Sequence, residues 1–451
     1  MRIKALLGTS LLAFVLLTGS ASGLTQLPGT AGCVSLHGEG GCAAGRAVSE
    51  AEGPLAISPD GRSAYLVADS RPEGIESDAI VVFDRDPTTG ALTQKPGREG
   101  CLAASGRFGC APDKKLNGAR QVVVSPDGRD VYVSSEHGGV VAFARSAATG
   151  ALRPLNGAAE CIGGPLKAHC AHAVGLENPI GLAFSPDGAE LYATNVHRPT
   201  VTILRRDPLT GKLSQRAGPA GCVTAVARGG TCKTLGRRPG AVLSIVVPAD
   251  GASAYALLIV EGLTSIQLFA RHPDGALQRT GGRTGCYRQT GASGCPGGSG
   301  LREIESLASS PDGTSLYVTS RFGTVAKAGA VTIFNRAGGV LSQAPGTAGC
   351  ISANGGECAV DKVLAGAEDV AVSPDGQNVY VTTLYGLAML DRDPTGALTA
   401  PAGKAACFSD FTKFCTPGRN LEATDGVSVS PDGVSVYVTS LEFGGVSVFT
   451  R

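Results

Sequence analysis

Residues 122–133 read VVVSPDGRDVYV, two short apolar runs joined by a Ser-Pro-Asp-Gly turn. Pro126 fixes φ at the second turn position, Asp127 can accept hydrogen bonds from nearby backbone amides, and Gly128 can adopt a positive φ. Two β-rich runs joined by such a turn predict an antiparallel hairpin.

The same turn recurs along the chain and marks a repeat. It begins at Ser58, Ser125, Ser185, Ser310, Ser373 and Ser430, and a degenerate copy, PADG, occupies residues 248–251. The turn aspartates lie 57 to 67 residues apart, and seven of the nine tyrosines share one position in the strand after the turn. Four short strands in each of seven units predict an all-β fold, a seven-bladed β-propeller with four antiparallel strands per blade.

The two ends of the repeat region predict how the ring closes. Residues 24–29 read LTQLPG and match LTQKPG at residues 92–97, where the fourth strand of the first unit begins. The last unit stops at Arg451, after its third strand. We therefore expect the propeller to occupy residues 24–451, with the N-terminal strand completing the last blade and covering the open edges.

The N-terminus reads as a signal peptide over residues 1–23. Two basic residues are followed by an apolar run at 5–17 and by small residues at 19–23. The apolar run is shorter than the roughly 20 residues that a membrane-spanning helix needs. We expect cleavage near Gly23, a secreted protein, and no membrane span in the mature chain.

Fourteen cysteines in an exported chain predict disulfide bonds. They form close pairs with seven to nine residues between partners, which does not match the short ligand spacing of zinc sites. His169 and His172 flank one of these cysteines, but the repeat gives that cysteine a disulfide role, so we expect no metal there. The expected bonds are Cys33–Cys42, Cys101–Cys110, Cys161–Cys170, Cys222–Cys232, Cys286–Cys295, Cys350–Cys358 and Cys407–Cys415.

Charge and motifs exclude several function classes. Lys plus Arg number 39 and Asp plus Glu number 38, so there is no electrostatic reason to expect nucleic acid or an anionic membrane as a partner. The sequence contains no nucleophile elbow, phosphate-binding loop or His-Glu-x-x-His motif. We expect no cofactor, and an extracellular ligand or protein as the partner.

The turn followed by Val-Tyr-Val-Thr, at residues 379–382 and 436–439, resembles the YVTN-repeat propellers. Residues 24–451 are also similar to the wider lactonase-like group that includes bacterial 6-phosphogluconolactonase. The resemblance implies the seven-bladed fold and raises lactone hydrolysis as an activity. The paired cysteine loops are a departure from the cytoplasmic enzymes of that group.

Function is expected where the seven units differ, because a position shared by every blade is explained by blade geometry. In propellers, the loops after the second strand and before the innermost strand share the face around the central channel. There Glu136, His137, His197 and Arg198 come from adjacent blades. A His or Glu base beside an Arg that holds an oxyanion would suit lactone hydrolysis, whereas solvated loop tips are the alternative.

Further ionisable residues directly precede the innermost strands. Carboxylates from three neighbouring blades, Glu305, Glu368 and Asp425, are candidates to hold a cation such as Ca²⁺ at the channel mouth. The full set of ionisable residues at this position is Arg120, Arg238, Glu305, Glu368, Asp369 and Asp425.

Two functions are therefore open. The first is a secreted binding or interaction scaffold without catalysis. The second is a secreted lactone hydrolase that uses Glu136, His137, His197 and Arg198. A propeller fold does not choose between them, and the second requires these four side chains to line one pocket.

Overall fold

The computed structural model is a ring of seven small sheets that together form a β-propeller. Within the described part of the chain, no helix is long and apolar enough to cross a membrane. The predicted signal peptide, apart from Gly23, and Arg238 lie outside the described residues. The structure describes residues 23–69, 78–157, 160–165, 167, 169–224, 231–235, 239–260, 262–291, 294–321, 328–442 and 444–451.

Three antiparallel strands form the body of every blade, and we number the blades from residue 51 onward. The innermost strands are Ala51–Ile57, Ala119–Val124, Pro179–Phe184, Pro239–Val246, Ile304–Ser309, Ala367–Val372 and Thr424–Val429. The second strands are Ser63–Asp69, Asp130–Ser135, Glu190–Asn195, Ser253–Val260, Ser315–Arg321, Asn378–Thr383 and Ser435–Ser440. The third strands are Asp78–Arg85, Gly139–Arg145, Thr200–Arg206, Leu263–Arg271, Gly329–Ala337, Gly386–Arg392 and Val446–Thr450.

The fourth strand of each blade is divided into two segments, and both pair with the third strand. The first segments are Leu92–Gln94, Leu152–Pro154, Leu213–Gln215, Leu277–Arg279, Val340–Gln343, Leu398–Thr399 and, in blade seven, Thr25–Gln26. The second segments are Cys101–Ala103, Cys161–Gly163, Cys222–Thr224, Cys286–Arg288, Cys350–Ser352, Cys407–Ser409 and Cys33–Ser35. The intervening 3-10 turns are Gly97–Gly100, Gly218–Gly221, Arg283–Gly285, Gly346–Ala348, Gly403–Ala406 and Gly29–Gly32.

Each cysteine loop adds a short element beyond the four predicted strands. In six blades this element pairs in parallel with the second segment of the fourth strand, and in blade four a single parallel bridge joins Arg288 and Gly297. The short parallel strands are Ala111–Pro112, Ala171–His172, Lys233–Thr234, Ala359–Val360, Thr416–Pro417 and Ala43–Ala44. Further 3-10 turns are Lys114–Leu116, Lys362–Leu364 and Glu39–Gly41.

All seven predicted disulfides are present, with Cα–Cα distances from 4.7 to 5.2 Å. Each one joins the start of the second fourth-strand segment to the end of the same loop, so every bridge is local to its blade. This pattern is compatible with a secreted protein, because disulfides form and persist in oxidising compartments.

The predicted turn chemistry is also present. The Ser125 hydroxyl donates to Asp127 Oδ1 over 2.6 Å and accepts from the Asp130 amide over 3.0 Å. Gly128 has φ of 71°, which explains why glycine follows the aspartate. The hairpin is therefore determined by contacts between residues that are close in the sequence.

The recurrent arginine at the end of the third strand connects neighbouring blades. Arg336 in blade five donates from Nε to the Tyr255 hydroxyl in blade four over 2.6 Å, and from Nη2 to Asp250 over 2.7 Å. It also donates from Nη1 to the Gly313 carbonyl in its own turn over 2.7 Å. The corresponding arginine–tyrosine pairs are Arg85–Tyr437, Arg145–Tyr65, Arg206–Tyr132, Arg271–Tyr192 and Arg392–Tyr317.

The ring closes through the N-terminal strand, as the sequence predicts. Thr25 pairs with Thr450, Gln26 with Phe449, and Cys33 with Ser447, all antiparallel. The innermost strands of neighbouring blades contact each other around the whole ring, including blade seven against blade one. The apolar core lies between the blades, and all seven recurrent tyrosines are buried there.

Candidate channel-mouth site

The mouth of the central channel is built from irregularities at the start of the innermost strands. The strand register shifts near the first residues of all seven, and such bulges redirect side chains. The bulges place Arg120, Glu305, Glu368 and Asp425 on the wall of a cavity of about 420 Å³. The channel-facing ionisable residues therefore come from one strand position in several blades.

Arg120 connects the carboxylates of blades one and two. Its Nη2 lies 2.6 Å from Glu136 Oε1, and its Nη1 lies 3.1 Å from Glu52 Oε1. Burial disfavours the charged form, but hydrogen bonds to Glu136 and the nearby charge of Glu52 raise the pKa of Arg120 above its usual range. Glu136 is therefore ion-paired with a guanidinium on the channel wall.

Arg321 has the matching role across blades five and six. Its guanidinium forms an ion pair with Glu368, and its Nε lies 3.6 Å from Glu305 Oε1. Burial raises the pKa of Glu305; Arg321 opposes this effect, while the negative charges of Glu303 and Asp425 add to it. Glu305 is thus protonated more readily than an ordinary glutamate.

Asp369 lies beside these residues on the channel wall. It accepts hydrogen bonds from the Ser306 hydroxyl over 2.6 Å and from the Val427 amide over 2.9 Å. Burial raises the pKa of Asp369 to about 6, and the negative charge of Asp425 adds to this effect. A carboxyl with this pKa can exchange a proton under mildly acidic conditions.

Asp425 lies on the blade-seven side of the same wall. It accepts a hydrogen bond from the Gly53 amide of blade one, and burial raises its pKa. Across the described residues, no group of three or more His, Cys, Asp or Glu side chains is placed to hold one metal ion. The cation site at Glu305, Glu368 and Asp425 therefore stays a prediction.

The four residues considered for lactone hydrolysis lie in different surroundings. Glu136 pairs with Arg120, whereas the exposed His137 places Nδ1 3.3 Å from the Asn117 carbonyl. His197 and Arg198 are exposed and line a separate cavity on blade three. None of the cavities found in the described part of the chain is lined by all four residues.

The repeat explains this separation. His137 and His197 each stand two residues after the end of the second strand, in adjacent blades. Equivalent positions in adjacent blades are related by a rotation about the channel axis, so each histidine faces its own blade's loop. Adjacency of blades in the sequence is therefore not sufficient to bring these side chains together.

Three residues of interest were not identified from the sequence. Glu52 is the second residue of its innermost strand, the same position as Arg120, so a comparison of the repeats could have found it. Ser306 donates to Asp369 of the neighbouring blade, and it lies within the register shift of its strand. Glu177 directly follows the buried Leu176, and no motif distinguishes it.

Comparisons with known proteins agree with this architecture. The family model described as "Lactonase, 7-bladed beta-propeller" matches residues 56–226. No curated protein shows significant sequence similarity to the chain.

Three of the solved structures that match the chain have TM-scores just below 0.5. A candidate 6-phosphogluconolactonase from Bacteroides fragilis is 18% identical, with 76% of this chain and 81% of that chain covered and a TM-score of 0.49. One from Bacteroides uniformis is 18% identical, with 76% and 82% covered and a TM-score of 0.47. A protein of unknown function from Desulfotomaculum acetoxidans is 11% identical, with 88% and 91% covered and a TM-score of 0.48. The chain is therefore a seven-bladed β-propeller, and its residues 56–226 match the model of the lactonase propeller family.

Proposed function

We propose that this protein is an exported binding scaffold that holds its ligand at the mouth of the central channel. One observation carries the proposal: ionisable side chains from four blades line the cavity there, and Glu52 of blade one pairs with one of them, Arg120. The recurrent Arg and Asp residues are instead used in contacts between blades. Among the described residues, two arginines, Arg120 and Arg321, stand against a larger acidic set. That set comprises Glu52, Glu136, Glu305, Glu368, Asp369 and Asp425.

The two sides of the mouth differ in character and indicate a class of ligand. The wall from blades three and four is lined by uncharged residues, among them Ile180, Gly181 and Ser244, whereas blades five to seven present carboxylates. A narrow opening lined by one sign of charge concentrates ions of the opposite sign. An organic cation with an apolar part matches both walls.

Export is supported by the local disulfides and by the N-terminal sequence pattern at residues 1–23. Such bridges keep the loops of the rim in place outside the cytoplasm. We infer an extracellular location, where a rigid ring with an acidic mouth can capture a ligand from solution.

The binding proposal is tested by calorimetric titration of the purified mature protein with benzylammonium and spermidine. We expect saturable binding that weakens as salt increases, and that weakens severalfold in Glu368→Gln. Glu99→Gln is the matched control, because Glu99 is exposed on an outer 3-10 turn. Absence of saturable binding of either cation by the wild type, or equal affinity in Glu368→Gln, would overturn the proposal.

Lactone hydrolysis is the second candidate, and the match over residues 56–226 favours it, because that range contains Glu136, His137, His197 and Arg198. The pairing of Glu136 with Arg120 and the separate cavity at His197 make it the less supported function. A panel of lactones assayed with the wild type, Glu136→Gln and His197→Ala decides the matter. Equal turnover by all three proteins would show that Glu136 and His197 have no catalytic role.

A further inference from the structure

A second cavity, which we call the blade-three rim cavity, lies outside the channel. Its volume is about 340 Å³, and none of its lining residues belongs to the channel wall. The loop after the second strand supplies His197 and Arg198, and the segment before the innermost strand supplies Glu177. Thr200 and Thr224 add hydroxyls from the third and fourth strands.

One oxygen of the Glu177 carboxylate has a partner among the described residues, and the other has no hydrogen-bond donor. Its Oε1 lies 3.2 Å from Arg198 Nη1, whereas its Oε2 is buried and has no hydrogen-bond partner. The side chain of Glu177 is 19% exposed and that of Arg198 is 70% exposed. A buried acceptor without a donor destabilises the fold, and such exceptions in folded proteins call for an explanation.

The corresponding place in blade six shows that the repeat does not require these polar groups. That cavity is only about 60 Å³ and is lined by Ala365 where blade three has Glu177, and by Tyr385 where blade three has His197. Ala365 and Glu177 both follow a buried leucine at the start of the same segment. The charged pair and the larger volume of blade three are thus absent from the corresponding place in blade six.

We propose that the blade-three rim cavity binds a small zwitterion, an α-amino acid. Its ammonium group pairs with the Glu177 carboxylate, and its own carboxylate accepts hydrogen bonds from the exposed guanidinium of Arg198. One carboxylate and one guanidinium make the pair electrically neutral, which matches a ligand with no net charge. The hydroxyls of Thr200 and Thr224 complete a polar wall beside them.

Titration calorimetry of the full mature protein tests the ligand class directly. The probes are glycine, L-serine and L-leucine, and two analogues each remove one charged group: L-lactate lacks the ammonium and L-serinamide lacks the carboxylate. We expect saturable binding of at least one amino acid and a loss of about tenfold or more for both analogues. No saturable binding of the three amino acids below about 10 mM would overturn the proposal.

Variants separate a binding role from a structural one. Glu177→Gln keeps the shape but removes the charge, so we expect binding to weaken about tenfold while the melting temperature stays the same or rises. Arg198→Ala is expected to weaken binding similarly, and because its side chain is exposed it gives a second test if Glu177→Gln does not fold. Glu422→Gln is the control, because Glu422 holds the same position in blade seven after the buried Leu421. Unchanged amino-acid binding in both test variants would refute this site.

The outcome is independent of the channel proposal. Loss of amino-acid binding in Glu177→Gln with cation binding intact supports the rim cavity alone. Loss of cation binding in Glu368→Gln with amino-acid binding intact concerns the channel mouth alone.

Discussion

Arg145 in blade two donates a hydrogen bond of 2.9 Å from Nε to the hydroxyl of Tyr65 in blade one. Its Nη2 lies 2.8 Å from Asp60 Oδ2, and its Nη1 donates to the Gly128 carbonyl over 3.0 Å. The arginine side chain is 2% exposed. Blades are therefore joined by a buried guanidinium in addition to the apolar contacts between their faces.

Replacing this arginine should destabilise the ring. Arg145→Ala removes the hydrogen bonds of the guanidinium to the buried Tyr65 hydroxyl and to Asp60. We expect a loss of about 2–3 kcal/mol in the free energy of unfolding, because hydrogen bonds to charged groups contribute about 1.5–3 kcal/mol. Arg145→Lys should restore little of the lost stability, because an ammonium group does not reproduce the several hydrogen bonds of the planar guanidinium. Urea unfolding followed by circular dichroism measures both.

Arg153→Ala is the control for this prediction, because Arg153 is exposed on the outer strand of the same blade. We expect a change within about 0.5 kcal/mol. Equal stability of Arg145→Ala and Arg153→Ala would contradict a role for the contact between blades.

The raised pKa of Asp369 has a consequence for pH dependence. Burial raises its pKa in the folded protein to about 6, above the ordinary value of 3.8. Between these pH values the folded chain holds the proton more tightly than the unfolded chain, so this group lowers stability as pH rises from about 4 to about 6. In Asp369→Asn this contribution is absent.

We therefore expect the stability of Asp369→Asn relative to the wild type to increase over that range, by on the order of 2 kcal/mol. Denaturant unfolding at a series of pH values measures it. Asp207→Asn should show no such change between pH 4 and 6, because backbone hydrogen bonds from Leu209 and Thr210 lower the pKa of Asp207. A constant difference between Asp369→Asn and wild type across the range would refute the pKa assignment.

Each local disulfide should contribute to stability. The loop closed by Cys101 and Cys110 spans nine positions, and the chain-entropy model gives about 2–3 kcal/mol for a loop of this size. We expect the Cys101→Ser, Cys110→Ser double variant to lose about that amount in non-reducing urea unfolding. Peptide mapping of the wild type without reductant should recover only local pairs, and any bond between distant repeats would contradict the predicted pairing.

The side chain of Gln26 links the N-terminal strand to the segment before the innermost strand of blade seven. Its Nε2 donates to the carbonyls of Gly32 and Arg419, and its Oε1 accepts from the Arg419 amide over 3.0 Å. Gln26→Ala should therefore reduce the free energy of unfolding by about 1–3 kcal/mol. Urea unfolding and limited proteolysis of the N-terminal strand measure the effect.

Two comparisons accompany the Gln26 prediction. Thr25→Ala should change the free energy of unfolding very little, since Thr25 is exposed and its hydroxyl donates to the carbonyl of the nearby, exposed Gly23. Gln94→Ala should resemble Gln26→Ala, because Gln94 makes the same type of contacts with Arg46 and Gly100 in blade one. If Gln26→Ala matched the wild type in both urea unfolding and limited proteolysis, strand pairing alone would be sufficient to close the ring.

The candidate site could be predicted only in part. Arg120, Glu305, Glu368, Asp369 and Asp425 were recognised as ionisable residues near the start of the innermost strands, where the seven units differ, and all line the channel wall. Their partners were not foreseeable from spacing. The register shifts and the angles between blades decide which carboxylate meets which guanidinium, and both depend on packing between distant residues.

The sequence by itself determined the hairpins, the number of blades, the local disulfides and the strand that closes the ring. These features follow from turn chemistry, from repetition and from the match between similar segments, all of which can be recognised in the sequence alone. Only the tertiary structure decided that Glu136 pairs with Arg120 and that His197 lies with Glu177 instead of beside His137. The reason is physical: a repeat specifies what one blade is, whereas a site between blades depends on bulges and rotations that no single repeat encodes.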